Sequence, residues 1–129
     1  RFESYLRYAK AKVNGVNGVI LLPDDWSMEY YHLNDPNYYN SSYTSNVIDA
    51  DTWVTSLESH GAVFMPATGV REYSAIHEQG NIGCYWTSTC NGDVEAAAYS
   101  FIFSSTIMSP TQSRGRHMGY SVRLVHDAE

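Results

Sequence analysis

The chain has 129 residues, 43% of them hydrophobic and 17% charged, with a net charge of −6. That size and balance fit one folded domain with a single core and exclude an extended disordered chain. The acidic charge offers no basic patch for phosphate, so nucleic acid is not an expected partner, and no run reaches the roughly 18 apolar residues of a membrane span.

Residues 1–12 place Phe2, Tyr5, Leu6 and Ala9 at helical spacing, with Arg1, Glu3, Arg7 and Lys10 between them. This predicts an amphipathic helix, ended by a turn at Gly15 and Gly18. Val19 to Leu22 is a short apolar run stopped by Pro23, which predicts a buried strand. Ser27 to Asn46 has no period, many turn formers and several of the eleven tyrosines, and is expected to be a long surface loop. Asp49 and Asp51 open a second helix, with Trp53, Val54 and Leu57 as its buried stripe and Gly61 as its cap. Ala62 to Met65 is the next strand, ended by Pro66.

A loop is expected from Glu72 to Ile82. Strands follow at Gly83 to Thr89 and at Ala97 to Phe103, where Tyr99, Phe101 and Phe103 share one face and Ala98, Ser100 and Ile102 the other. Ile107 to Ser109 reads as a short strand closed by Pro110. Thr111 to Gly119 reads as a loop and Tyr120 to Val125 as the last strand, with Val122 and Leu124 on one face. Two helices and several short antiparallel strands give an α+β class, a small twisted sheet with the helices packed on it. Trp26, Trp53 and Trp86 are expected in or near the core.

Catalytic groupings are hard to assemble. Ser88 and Ser121 lack a glycine elbow, the five histidines are scattered, and Asp24 and Asp25 point apart if they sit at a strand end. Cys84 and Cys90 lie about 20 Å apart on an extended strand, so two free thiols are expected. Two cysteines also fall short of a zinc site. Neither an enzymatic role nor a metal or other cofactor is therefore expected.

Three pieces of the C-terminal third form a pattern: Gly83 to Thr89 (GCYWTST), Ala98 to Phe103 (AYSFIF) and Arg116 to Val125 (RHMGYSVRLV). With Trp53, Leu57 and the run Gly61-Ala62-Val63-Phe64-Met65-Pro66-Ala67, then Gly69 and Arg71, the pattern resembles the C-type-lectin-like domain of bacterial surface proteins called the major paralogous domain. It is also similar to the variable proteins of diversity-generating retroelements. The resemblance covers, with gaps, about Val16 to Val125. It implies a C-type-lectin-like fold and an extracellular or cell-surface ligand-binding module, whose partner is a protein or glycan on another cell or phage.

The scaffold positions it implies are Gly83, Trp86, Ser88, Tyr99, Phe103, Arg116, Gly119, Ser121, Val122 and Arg123. Its contact positions are Tyr85, Cys90, Asn91, Asp93, Glu95, Ser100, Ile102, Ser104, Thr106, Met108, Gln112, Arg114, His117, Met118 and Tyr120. Many lectins of this fold bind sugar through calcium. Here Asp35-Pro36-Asn37 is only half of such a motif and fits turn chemistry, so metal-free binding is expected. The alternatives are a structural or adhesive domain of a surface lipoprotein and a degenerate member of the formylglycine-generating oxidase branch. The chain begins at Arg1 without a signal sequence, so residues 1–129 are expected to be one domain at the C-terminal end of a longer protein.

Overall fold

The computed structural model describes residues 8–90, 97–115 and 118–122. Its described strands are β1 (Tyr8–Val13), β2 (Val16–Leu21), β3 (Val47–Ile48), β4 (Val63–Pro66), β5 (Val70–Glu72), β6 (Ala75–His77), β7 (Gly83–Cys90), β8 (Ala97–Phe103) and β9 (Met108–Gly115). They form a four-stranded sheet in the order β3-β1-β2-β4, the hairpin β5-β6, and a three-stranded sheet in the order β7-β8-β9.

Among the described residues the chain is mostly β, with one 11-residue helix, α1, over residues 50–60 and a short 3-10 turn at Tyr43–Ser45. This corrects the expected α+β arrangement of two helices on one small sheet. Where the first helix was expected, Tyr8 to Val13 is a strand. Residues 1–7 lie outside the described residues.

The reason for the first error is local and clear. Ala9, Lys10, Ala11 and Lys12 are good helix formers, but propensity is a weak prior that tertiary pairing overrides. β1 pairs with β2 on one side and with β3 on the other, and both of its faces are covered. Lys10 and Lys12 do alternate with Ala9, Ala11 and Val13, but this two-residue period is short and competes with the helical spacing of Phe2, Tyr5, Leu6 and Ala9. The turn after it is the decisive signal. Asn14 and Gly15 have φ of 48° and 79°, the pair of positive values that a two-residue hairpin requires. Asn14-Gly15 is therefore a hairpin turn, not the end of a helix.

A helix does run between Asp49 and Gly61, where the caps predict one. Asp49 caps it, accepting the Thr52 N–H at 2.7 Å, and Gly61 closes it in a left-handed conformation. Its middle, Trp53–Leu57, is wound more loosely as a π segment, followed by a tighter 3-10 turn at Glu58–His60. Leu57 is fully buried and Trp53 packs edge-on to Phe64, but Val54 is exposed and does not belong to the expected buried stripe.

The central four-stranded sheet separates two cores. On one face, Ala9, Ala11, Val13 and Ile20 pack with Leu57, Trp26 and Leu33 from α1 and the long loop. On the other, Tyr8, Val19 and Met65 pack with Tyr85, Phe101 and Phe103 from the C-terminal sheet. Trp26 is thus in the core, as expected, and Trp53 lies against it.

The expected loop after Glu72 is instead the β5-β6 hairpin, with Tyr73 at its tip. Pro110 does not close a short strand either. β9 runs through it by means of a bulge, in which Ser109 pairs with Ile102 and Gln112 with Ser100, leaving Pro110 and Thr111 opposite Phe101. A residue without an N–H is tolerated at such a position on an edge strand.

Of the loop expected from Ser27 to Asn46, residues 27–42 are a tightly fastened loop, whereas Tyr43–Ser45 forms a 3-10 turn. Tyr8 exchanges hydrogen bonds with Asn37, donating to its Oδ1 and accepting from its N–H. Asn46, almost wholly buried, donates through Nδ2 to the carbonyls of Lys10 and Asn34, both at 2.9 Å, and accepts the Asn34 N–H at 2.7 Å.

Lys10 itself is fully buried on the face of β1 that holds Tyr8, and its Nζ donates to the Tyr39 carbonyl. Burial lowers its pKa from 10.5 to about 8. A base with a depressed pKa binds fewer protons in the folded than in the unfolded chain, so its contribution to stability grows as pH rises from about 8 towards 10.5. Cys84, Tyr8 and Tyr43, whose pKa values burial raises, act in the opposite sense at high pH. The difference between wild type and Lys10→Met therefore isolates the lysine. In urea denaturation at about pH 7, 8.5 and 9.5, the wild type should gain stability relative to the variant as pH rises. A difference independent of pH would show that Lys10 titrates as if solvated.

Candidate binding face of the C-terminal sheet

β8 is the middle strand of this sheet, and its alternation sets the two faces. Phe101 and Phe103 point inwards and are buried, and across the ladder Tyr85 stands opposite Phe101 and Gly83 opposite Phe103. Tyr85 stacks on Phe103 with ring centroids 6.3 Å apart, and its hydroxyl donates to the Pro66 carbonyl at 2.7 Å. Gly83 is needed for this packing. A Cβ there would lie 2.0 Å from the Phe103 ring.

The opposite face carries Cys84 and Trp86 from β7, Ser100 and Ile102 from β8, and Ser109, Gln112 and Arg114 from β9. A further segment extends it beyond β7. The Ser121 N–H donates to the Cys84 carbonyl at 2.9 Å, and the Trp86 N–H donates to the Ser121 carbonyl at 3.1 Å. Ser121 then shares the side of Tyr85, and its Oγ lies 2.6 Å from Thr68 Oγ1, while Tyr120 and Val122 fall on the outer face. Gly119 exchanges two hydrogen bonds with Arg71, which ties the β5-β6 hairpin to the same edge.

On this outer face Trp86 and Tyr120 pack ring on ring, with centroids 4.7 Å apart and planes tilted by 33°. Arg114 is exposed, its guanidinium donates to the Ser113 carbonyl at 3.0 Å, and its charge counters the rise that burial imposes on the Tyr120 pKa. Val122, a scaffold position by the resemblance, is 68% exposed. Ser100 and Ile102 are buried beneath as a floor, and the Ser100 hydroxyl donates to the Gln112 carbonyl at 2.9 Å. Cys84 is a buried free thiol, as expected. Burial pushes its pKa up while the Arg114 charge pulls it down, so it stays protonated near neutral pH.

The expected contact residues therefore divide. Gln112, Arg114 and Tyr120 come together on the outer face, and Met118 is half-buried two residues before Tyr120. Ser100 and Ile102 are on that face but buried. Thr106 is exposed in the turn after β8, while Ser104 is buried in the same turn and accepts the Thr106 N–H. Tyr85 and Met108 belong to the inner side and pack in the core. Asn91, Asp93, Glu95 and His117 lie outside the described residues, as do Arg116 and Arg123 and the side chains of Ser88 and Cys90.

Tyr85 and Trp86 thus exchange the roles expected of them. Trp86 belongs to the outer face, and the signal that could have found it is register. A tryptophan opposite Ser100 cannot share a face with Phe101. Among the described residues no group of three or more His, Cys, Asp or Glu could hold a metal ion. No helix among them is long and apolar enough to cross a membrane.

No curated protein and no solved structure matches the chain. Residues 8–125, which include both cores and the outer face just described, match the model for Domain of unknown function (DUF8237), and the chain belongs to that family.

Proposed function

We propose that this chain is an extracellular ligand-binding module whose recognition face is the outer side of the β7-β9 sheet. The observation that carries this reading is the Trp86–Tyr120 ring pair, with Arg114 on the same face and exposed Val122 beside it. Tryptophan, tyrosine and arginine are the residue types that concentrate binding energy in interfaces. The inner side of the same strands holds a packed aromatic core, so outer side chains can change without disturbing the backbone that presents them. The resemblance of residues 83–125 to retroelement-diversified proteins supports the same division, and the partner in this reading is a protein or glycan on another surface.

Two experiments test it. Arg114→Glu with Tyr120→Ser should weaken capture of a partner selected from glycan and surface-protein arrays at least about tenfold, while the melting temperature moves by only a few degrees. A large fall in melting temperature would instead mark a face packed against a neighbouring domain. Sequencing the gene across its host population should find substitutions at Gln112, Arg114, Met118 and Tyr120, with Gly83, Tyr85, Phe101 and Phe103 constant. An invariant segment would sink diversification and leave a binding domain of fixed specificity.

A further inference from the structure

The charge of this chain is unevenly placed. Residues 22–60 hold seven of its 14 acidic residues and no lysine or arginine, so this stretch accounts for the whole negative excess. Asp25, Glu29 and Asp35 are exposed within it.

The same stretch displays aromatic rings. Tyr38 and Tyr39 are 50% and 60% exposed, with centroids 5.8 Å apart and planes inclined by 59°. Tyr30 is 42% exposed and stacks on His60, at the end of α1, at 4.0 Å.

These rings ride on a fixed backbone. The Tyr38 N–H donates to the Asp35 carbonyl, the Tyr38 carbonyl accepts from Ser41 Oγ at 2.8 Å, and the Tyr39 carbonyl accepts from buried Lys10. The Asn37–Tyr8 and Asn46–Asn34 bonds hold the flanks. Rigid exposed tyrosines lose little freedom on binding, and their ring faces attract cations.

We propose that the Tyr38–Tyr39 pair and the acidic stretch that carries it form a second interaction surface, which takes a lysine- or arginine-bearing segment of a partner protein. One cationic side chain lodges on the two rings beside Asp35, and the wider acidic field steers the rest of the segment. The negative field rules out phosphate-bearing partners. The spread of charge over the loop and α1 suits an extended basic chain better than a single small cation. This surface is separate from the sheet face, so either assignment can fail alone.

Fluorescent octa-arginine is the probe, read by anisotropy with the whole chain at about 20 and about 150 mM salt, on either side of substantial screening. Tyr38→Ala/Tyr39→Ala should bind roughly tenfold more weakly, the loss expected of two cation–π contacts. Asp25→Asn/Glu29→Gln should weaken binding and flatten its salt dependence, whereas Glu72→Gln/Glu78→Gln, removing equal charge elsewhere, should change little. All three pairs are at exposed or half-exposed positions, and an unchanged melting temperature verifies the fold. Equal effects of the two charge pairs, or wild-type affinity in the tyrosine variant, would overturn the proposal in favour of diffuse attraction. Displacement of the probe by millimolar choline would overturn it in favour of a small-cation cage.

Discussion

Gly83→Ala should destabilise the protein by about 3 kcal/mol, at the upper end of overpacking costs, because the added methyl has nowhere to go. Its Cβ would lie 2.0, 2.4 and 2.5 Å from three atoms of the Phe103 ring. That ring is fully buried, stacked on Tyr85 and tilted against Phe101 at 5.5 Å, so it cannot swing aside without disturbing the core between the two sheets. For a domain of this size the loss corresponds to a fall of roughly 10 °C in melting temperature. Phe103→Leu in the same background should recover part of it, since a smaller side chain makes room for the methyl. A Gly83→Ala variant that melts with the wild type would mean that β7 and β8 are not paired in this register.

Asn46→Ala should be nearly as costly, by a different route. The side chain satisfies three main-chain groups at once: the Lys10 and Asn34 carbonyls and the Asn34 N–H. Alanine leaves all three without that partner in a buried site, at a cost of about 1–3 kcal/mol for each group that water cannot reach. Asn46→Asp retains the acceptor but loses both donations and buries a charge, so it should fare no better. Hydrogen exchange at the Asn34 amide reads the effect directly and should accelerate by at least tenfold. Octa-arginine affinity should fall with it, because Tyr38 and Tyr39 lose the backbone that orders them. Unaltered exchange at Asn34 would place the fastening of the loop elsewhere.

What was legible in the sequence follows from how local each signal is. Asp49 and Gly61 act on their own helix ends, and both were placed correctly. The alternation of Tyr99, Phe101 and Phe103 was equally plain, because β8 has one aromatic face. β1 hid its nature, since its residues favour helix and both of its faces are buried. The short alternation of Ala9, Lys10, Ala11 and Lys12, followed by Asn14-Gly15, was what spoke for a hairpin. Pro110 was misread for a related reason, as a proline stops a regular strand but not a bulged edge.

The candidate site was half legible. Gln112, Arg114 and Tyr120 were named as contacts and do share a face, whereas Tyr85 and Trp86 were exchanged. Which of two adjacent aromatics points inwards depends on the partner strand, and one sequence does not print its own register. The acidic stretch over residues 22–60 was countable from the start. That its tyrosines stand on a fixed backbone required knowing where Lys10, Asn37 and Asn46 reach.

The bulge at Pro110 also bears on how this molecule behaves when crowded. A sheet open along one side invites a neighbour's strand to dock by main-chain hydrogen bonding, the first step towards fibrils. On the β7 side that position is occupied by the Ser121 segment. On the β9 side the chain offers a proline without an amide hydrogen and a ladder broken out of step. A copy approaching there finds no continuous row of donors and acceptors to copy. Residues that face outwards from β9 can therefore turn apolar without the sheet becoming a seed for stacking.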